Sequence, residues 1–158
     1  MPGWSIRVDD DGARRALKLI ETALSDLRPF WPLVVTLQRR WWKQQFDSEG
    51  DFAGARWAPL SAAYALTKRS GSGILVDTGQ MRRAADSPQR RATPHTLTLT
   101  INDAGAAHGP VLQYHQFGTD RMPARPLVFG DPLPATAQIE LEQAAEKYVA
   151  SWVRALGS

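Results

Sequence analysis

The sequence predicts an α+β fold: an antiparallel sheet of three to four strands packed against two N-terminal helices and a long C-terminal helix. Paired helical stripes near the start, one alternating segment in the middle and a third helical stripe at the end carry that prediction. Ala13, Leu17, Ile20, Leu24 and Leu27 recur at helical spacing, giving a first helix from about Asp11 to Arg28, with Asp9, Asp10 and Asp11 as acidic cap candidates. Pro29 stops it, and Pro32 suits the first turn of a second helix. That helix carries Phe30, Val34, Leu37 and Trp41 and runs to about Asp47. Helices so close in sequence predict an antiparallel pair.

Thr96–Ile101 alternates threonine with leucine and isoleucine and is the clearest strand. Pro94-His95 before it is turn-like, so Ser87–Thr93 is its expected hairpin partner. Trp4–Val8 and Val111–Phe117 also read as strands. Ala137, Leu141, Ala144, Tyr148 and Trp152 mark the last helix, from about Pro134 to Leu156. Between residues 47 and 58 the pattern gives way to Asp, Gly and Ser, with Phe52 and Trp57 as the apolar anchors of a loop. Trp57 is expected to pack on the helical layer and pin that loop. Pro59-Leu60-Ser61 then opens a short helix, with Ser61 as cap and Ala62–Lys68 as body, and Arg69–Gly73 reads as a flexible link. Asp77 and Gln80 have the spacing of a capping box around Thr78-Gly79.

With 158 residues the chain is expected to form a single domain, 1–158, able to bury a core. No apolar run approaches the ~20 residues that span a bilayer, and Met1–Ser5 lacks a secretory pattern. There is no cysteine, which excludes disulfides and thiolate zinc sites. The expected setting is the cytosol or a particle assembled there. The net charge of +3 is concentrated in Arg39, Arg40 and Lys43 and in Arg82, Arg83, Arg90 and Arg91. These fit a solvated helix face and a basic strand edge, or contact with DNA. Trp41-Trp42 among the first group fits a stacking platform for single-stranded nucleic acid, or core and interface packing.

Enzymatic patterns are sparse. Ile74–Gly79 (ILVDTG) resembles the catalytic run of dimeric aspartic proteases, but the basic, helical Gln80-Met81-Arg82-Arg83 follows it, and no later apolar-Gly strand closes such a site. Asp77 is therefore expected to cap a helix. His108 and His115, with Asp103 or Asp120, lack the one-turn spacing of a metal pair, and His115 beside Tyr114 and Phe117 suits packing or capping. Ser61 and Ser87 lack a nucleophile elbow, and Gly71-Ser72-Gly73 lacks the ending of a phosphate loop. The expectation is a non-enzymatic protein without cofactor or metal.

Three motifs stand in one order. They are Gly54–Ser61 (GARWAPLS), Ile74–Met81 (ILVDTGQM), and His115–Thr119 (HQFGT) followed by Met122–Pro126 (MPARP). This set resembles the phage virion morphogenesis family, the Mu-type and P2-type tail completion proteins. The family's usual Tyr-Ala before His-Gln-Phe-Gly is Val111-Leu112 here, and Leu127–Gly130 rearranges its Phe-Leu-Gly. The resemblance implies a structural virion protein of the tail end or head–tail junction, a ring subunit assembled in the bacterial host cytoplasm. Its partners would be further copies and tail-tube, tail-terminator or head-connector (portal) proteins, with non-specific proximity to DNA and no membrane. Trp57, Pro59, Ser61, Asp77, Gly79, His115, Phe117 and Gly118 are the motif residues expected to shape the fold.

Pro123 and Pro126 fix φ and lack N–H donors, so Met122–Pro126 cannot extend a sheet. Met122, Pro123, Arg125 and Pro126 are accordingly the candidate subunit contact, with Arg125 presented to a carboxylate on a neighbour, for which Glu140, Glu142 and Glu146 are candidates. A tight crossover to the last helix is the alternative.

Overall fold

The computed structural model describes residues 11–68, 73–101, 111–130 and 132–155. Helices α1 (Asp11–Ser25) and α2 (Trp31–Asp47) lead the described chain, followed by a 3-10 turn at Asp51–Ala53, α3 (Ala62–Thr67) and α4 (Gln80–Asp86). The hairpin β1 (Gln89–Ala92) and β2 (Leu97–Thr100), α5 (Val111–Phe117) and α6 (Ala135–Arg154) complete it. The first helix ends three residues short of Arg28, where Asp26 forks onto the Arg28 side chain at 2.6–3.0 Å.

The expected sheet of three to four strands is corrected by the structure. Among the described residues the sheet has two strands, paired antiparallel with Gln89 opposite Thr100 and Ala92 opposite Leu97. The fold is broadly α+β but mostly helical. Trp4–Val8 lies outside the described residues. Val111–Phe117 is a helix, and its sequence explains why. As a strand it would place Val111, Gln113, His115 and Phe117 on one face, mixing apolar and polar groups; as a helix it turns Val111, Leu112, His115 and Gln116 inward and leaves Gln113, Tyr114 and Phe117 exposed. Gly118, at φ 74°, then ends the helix, its N–H bonding the Tyr114 carbonyl at 2.8 Å.

α2 is the central element. Consecutive helical side chains point about 100° apart, so burial of both Trp41 and Trp42 means two buried faces. Trp42 and Phe46 join Trp57, Met81, Ala85 and Leu127 in one cluster. Trp41, Leu37 and Phe30 join Ala137 and Ala144 of α6 in a second. Phe129 packs against both. α1 lies on α6, while α2 lies on α4 and α6. The expected pairing of α1 with α2 is thus replaced by packing through the last helix, whose small Ala137 and Ala144 allow close approach. A stacking platform at Trp41-Trp42 does not form, because both rings are core.

Trp41 is also fixed by its indole N–H, which donates to Glu140 alongside the Arg40 guanidinium. Those two donors hold the Glu140 carboxyl below its usual range, the indole contributing most. Trp41→Ala is expected to cost about 3–5 kcal/mol in denaturant unfolding; a loss under about 1 kcal/mol would show that α2 and α6 are not held together through this ring.

Candidate functional site

The separated motifs meet in one place. Trp57, 4% exposed, stands edge-on to Phe46 with ring centroids 6.0 Å apart, so it pins its loop to α2 as expected. Its indole N–H donates to the Pro126 carbonyl at 3.0 Å. The same carbonyl accepts from the side-chain amide of Gln45, also at 3.0 Å, and the Gln45 oxygen receives the Ala53 N–H. Gly50, at φ 99°, lets the chain turn under Trp57, where a Cβ would sit 2.6 Å from the indole ring.

Arg125 differs from its expected placement as an outward cation. It is 4% exposed, and its guanidinium donates to the carbonyls of Ala58 and Pro59 at 2.9 and 3.0 Å. Burial of an ion demands such partners. Its backbone N–H also donates to the His115 carbonyl at 2.6 Å, satisfying an otherwise orphaned group at the end of α5. Gln116 completes the seam: its oxygen accepts the Leu127 and Val128 N–H groups, and its nitrogen donates to the Val128 carbonyl. A Cβ on Gly118 would lie 2.8 Å from the Ala124 nitrogen and 2.9 Å from the Met122 carbonyl, so only glycine fits the arm's approach. Leu127, fully buried, is the anchor beneath.

Ser61 caps α3, accepting from the Tyr64 N–H at 3.3 Å. Asp77 is placed differently from the capping expectation. Gly79, at φ 73°, occupies the N-cap of α4 without a side-chain cap bond, the Gln80 N–H reaches Thr78 Oγ1 instead, and Asp77 is exposed. The physical reason is the preceding turn: Ile74 donates its N–H to Glu49 of the α2 terminus and Leu75 takes φ 62°, which sets the entry to α4 one residue pair later. Phe117 is 77% exposed and outside the seam.

Above the seam lies an open groove of about 900 Å³. Pro59, Leu60, Leu75, Val111, Met122 and Pro123 supply its apolar lining. Lys68, Arg121, Arg125 and His115 line it together with Ser61, Tyr64, Asp77 and Gly79. Sequence reasoning identified most of these residues but missed Gln45, Gln116, Lys68 and Arg121. A glutamine within an apolar helix stripe beside Trp41-Trp42 was the available signal for Gln45. His108 and Asp103 lie outside the described residues. Among the described residues no three histidines, aspartates or glutamates form a metal-binding group.

No protein-family model matches the chain, and neither a curated protein nor a solved structure matches it.

The His115 Nδ1 is buried without a hydrogen-bond partner among the described residues. Burial, then the charge of Arg125, pushes the imidazole pKa down. The unfolded chain therefore binds a proton more readily than the folded one, and stability is complete above the ordinary histidine value of about 6.5 and falls as pH drops from there toward the folded pKa. His115→Phe is expected to flatten that part of the stability–pH curve, read as the difference between the two proteins' unfolding free energies; identical slopes would remove His115 as the source. Arg125→Ala is expected to cost about 2 kcal/mol, because it removes a buried guanidinium together with its charge-assisted bonds to the Ala58 and Pro59 carbonyls. Arg125→Lys should recover little of this, lacking the planar fork. An Arg125→Ala protein with unchanged thermal stability would contradict the clamp.

Proposed function

We propose that this protein is a non-enzymatic structural component of a phage tail end or head–tail junction, working as one copy in a ring. The observation that carries the reading is the convergence of the three motifs of the phage family on one groove. Such a groove offers a neighbour apolar wall with a cationic lining, the pattern of an interface core and rim. The contact is heterologous, as ring closure requires. Its occupant in this reading is α6 of the next copy. Ile139, Glu142, Gln143, Glu146, Ala150 and Val153 follow one helical face, all exposed, with apolar ends and an acidic middle. Glu140, a candidate from the sequence, is already engaged with Trp41 and Arg40. The acidic face complements Lys68 and Arg121 across the groove.

A nucleic-acid-binding role has less support. Trp41 and Trp42 are buried, and Arg40, Lys43 and Arg82 pair with Glu140 or Asp47, leaving Arg39, Arg83, Arg90 and Arg91 of the two basic clusters as its footing. A dimeric protease would rest on the exposed Asp77 alone.

The test is charge reversal in assembling particles. Arg121→Glu lies on an exposed loop and should change monomer stability by no more than about 0.5 kcal/mol, yet yield heads and tails that fail to join. Glu142→Lys with Glu146→Lys should give the same defect, and combining all three substitutions should restore joined particles. Normal virions from Arg121→Glu, seen by electron microscopy, would overturn the reading.

A further inference from the structure

Among the described residues, nothing pairs with the outer edge of β2. Thr93 donates its N–H to the Thr96 carbonyl at 2.8 Å, making these two a hydrogen-bonded pair beside the turn. In an antiparallel ladder bonded and non-bonded pairs alternate. With the observed register, Thr98 and Thr100 therefore bond across to β1, whereas Leu97 and Leu99 direct their N–H and C=O groups away from it. No described residue takes up those outward groups on β2. The side chains of Leu99 and Ile101 pack on the core, and those of Thr98 and Thr100 face solvent, so the edge is held flat from beneath.

The two edges of the hairpin differ in protection. β1 carries Arg90 and Arg91, charges of the kind that discourage strand addition. From Ala92 through Ile101 there is no acidic residue, lysine or arginine. The β2 edge has high strand propensity, no charge and no proline within it, and the sheet it borders has only two strands.

We propose that the free edge of β2 is a self-association site, at which two copies pair their β2 strands antiparallel about a two-fold axis at Leu99. A second copy is the occupant because identical uncharged edges meet without repulsion, whereas pairing through β1 would bring Arg90 and Arg91 of two copies together. The register follows from the outward groups: Leu99 faces the partner's Leu99, and Leu97 faces the partner's Ile101. The apolar faces of the two β2 strands then form one continuous core-side surface at the centre of a four-stranded sheet, with the two exposed β1 strands outermost. Thr98 lies opposite the partner's Thr100 on the solvent face. The contact is isologous and uses each bare edge once, so it closes as a dimer instead of growing. It is independent of the phage reading and concerns the free protein.

Sedimentation velocity across a concentration series tests it. The unsubstituted protein should show a monomer–dimer equilibrium. Thr98→Lys with Thr100→Lys places like charges directly across the seam and should raise the dimer Kd by on the order of tenfold or more. Thr98→Glu with Thr100→Glu should do the same, and an equimolar mixture of the two variants should form heterodimers. Should either variant fail to fold by circular dichroism, amide exchange in the unsubstituted protein decides instead. Leu97 and Leu99 amides should gain protection as concentration rises. A protein that stays monomeric throughout, a lysine variant that dimerises as tightly as the unsubstituted chain, or concentration-independent exchange at both amides would each overturn the proposal.

Discussion

The fold depends on one carbonyl group held between two side chains. Pro126 accepts from Gln45 on α2 and from Trp57 on the following loop, at 3.0 Å each. These donors belong to segments some 70 to 80 positions earlier in the chain, so the bonds set the depth at which the late arm enters the helical layer. Proline is suited to this position because it offers an acceptor without a donor that would also need a partner in the interior. Leu127 then falls into the cluster of Trp42, Phe46, Trp57 and Met81. Around this point the polar groups are closely matched. Arg125 serves Ala58, Pro59 and His115, while Gln116 serves Leu127 and Val128. Losing Gln45 or Arg125, both buried, would remove bonds that tie separate segments together at this point.

α2 spreads this constraint through the molecule. Its Trp42 face belongs to the arm and the loop, and its Trp41 face belongs to α6. A shift of the helix along its axis would disturb both clusters together, and Phe129, packed on both, couples them directly. The groove wall is consequently set by core packing and does not rely on the short α3 and α5 alone.

The long helices were legible because their stripes repeat over several turns, and the hairpin because Thr96–Ile101 alternates cleanly. Val111–Phe117 was not. Over seven residues with aromatic and polar groups interleaved, both periods fit, and the decision comes from tertiary partners: the His115 carbonyl and the Gln116 amide are used by the arm only when the segment is helical. Asp77 misled for a related reason. Its spacing to Gln80 suits a cap, but Glu49, 25 positions earlier than Ile74, fixes the preceding turn and moves the cap to Gly79. Such long-range bonds have no signature in local spacing. The arm's stiffness was readable from its prolines, while the direction in which Arg125 points was not.

That direction changes where recognition can reside. A guanidinium that is 4% exposed, with Nε and Nη2 donating to Ala58 and Pro59, is held inside the seam and presents little surface to a neighbour's carboxylate. The arm contributes rigidity, and the charges available to a partner sit beside it. Arg121 occupies the turn closed by the Thr119–Met122 bridge, immediately before the prolines, and Lys68 stands at the end of α3 across the groove. A cation carried on a turn whose far side is locked into the core loses little freedom when it meets a carboxylate, so less of the contact's energy goes into ordering it. The prolines and the buried arginine thus serve a surface contact indirectly, by holding still the residues that make it.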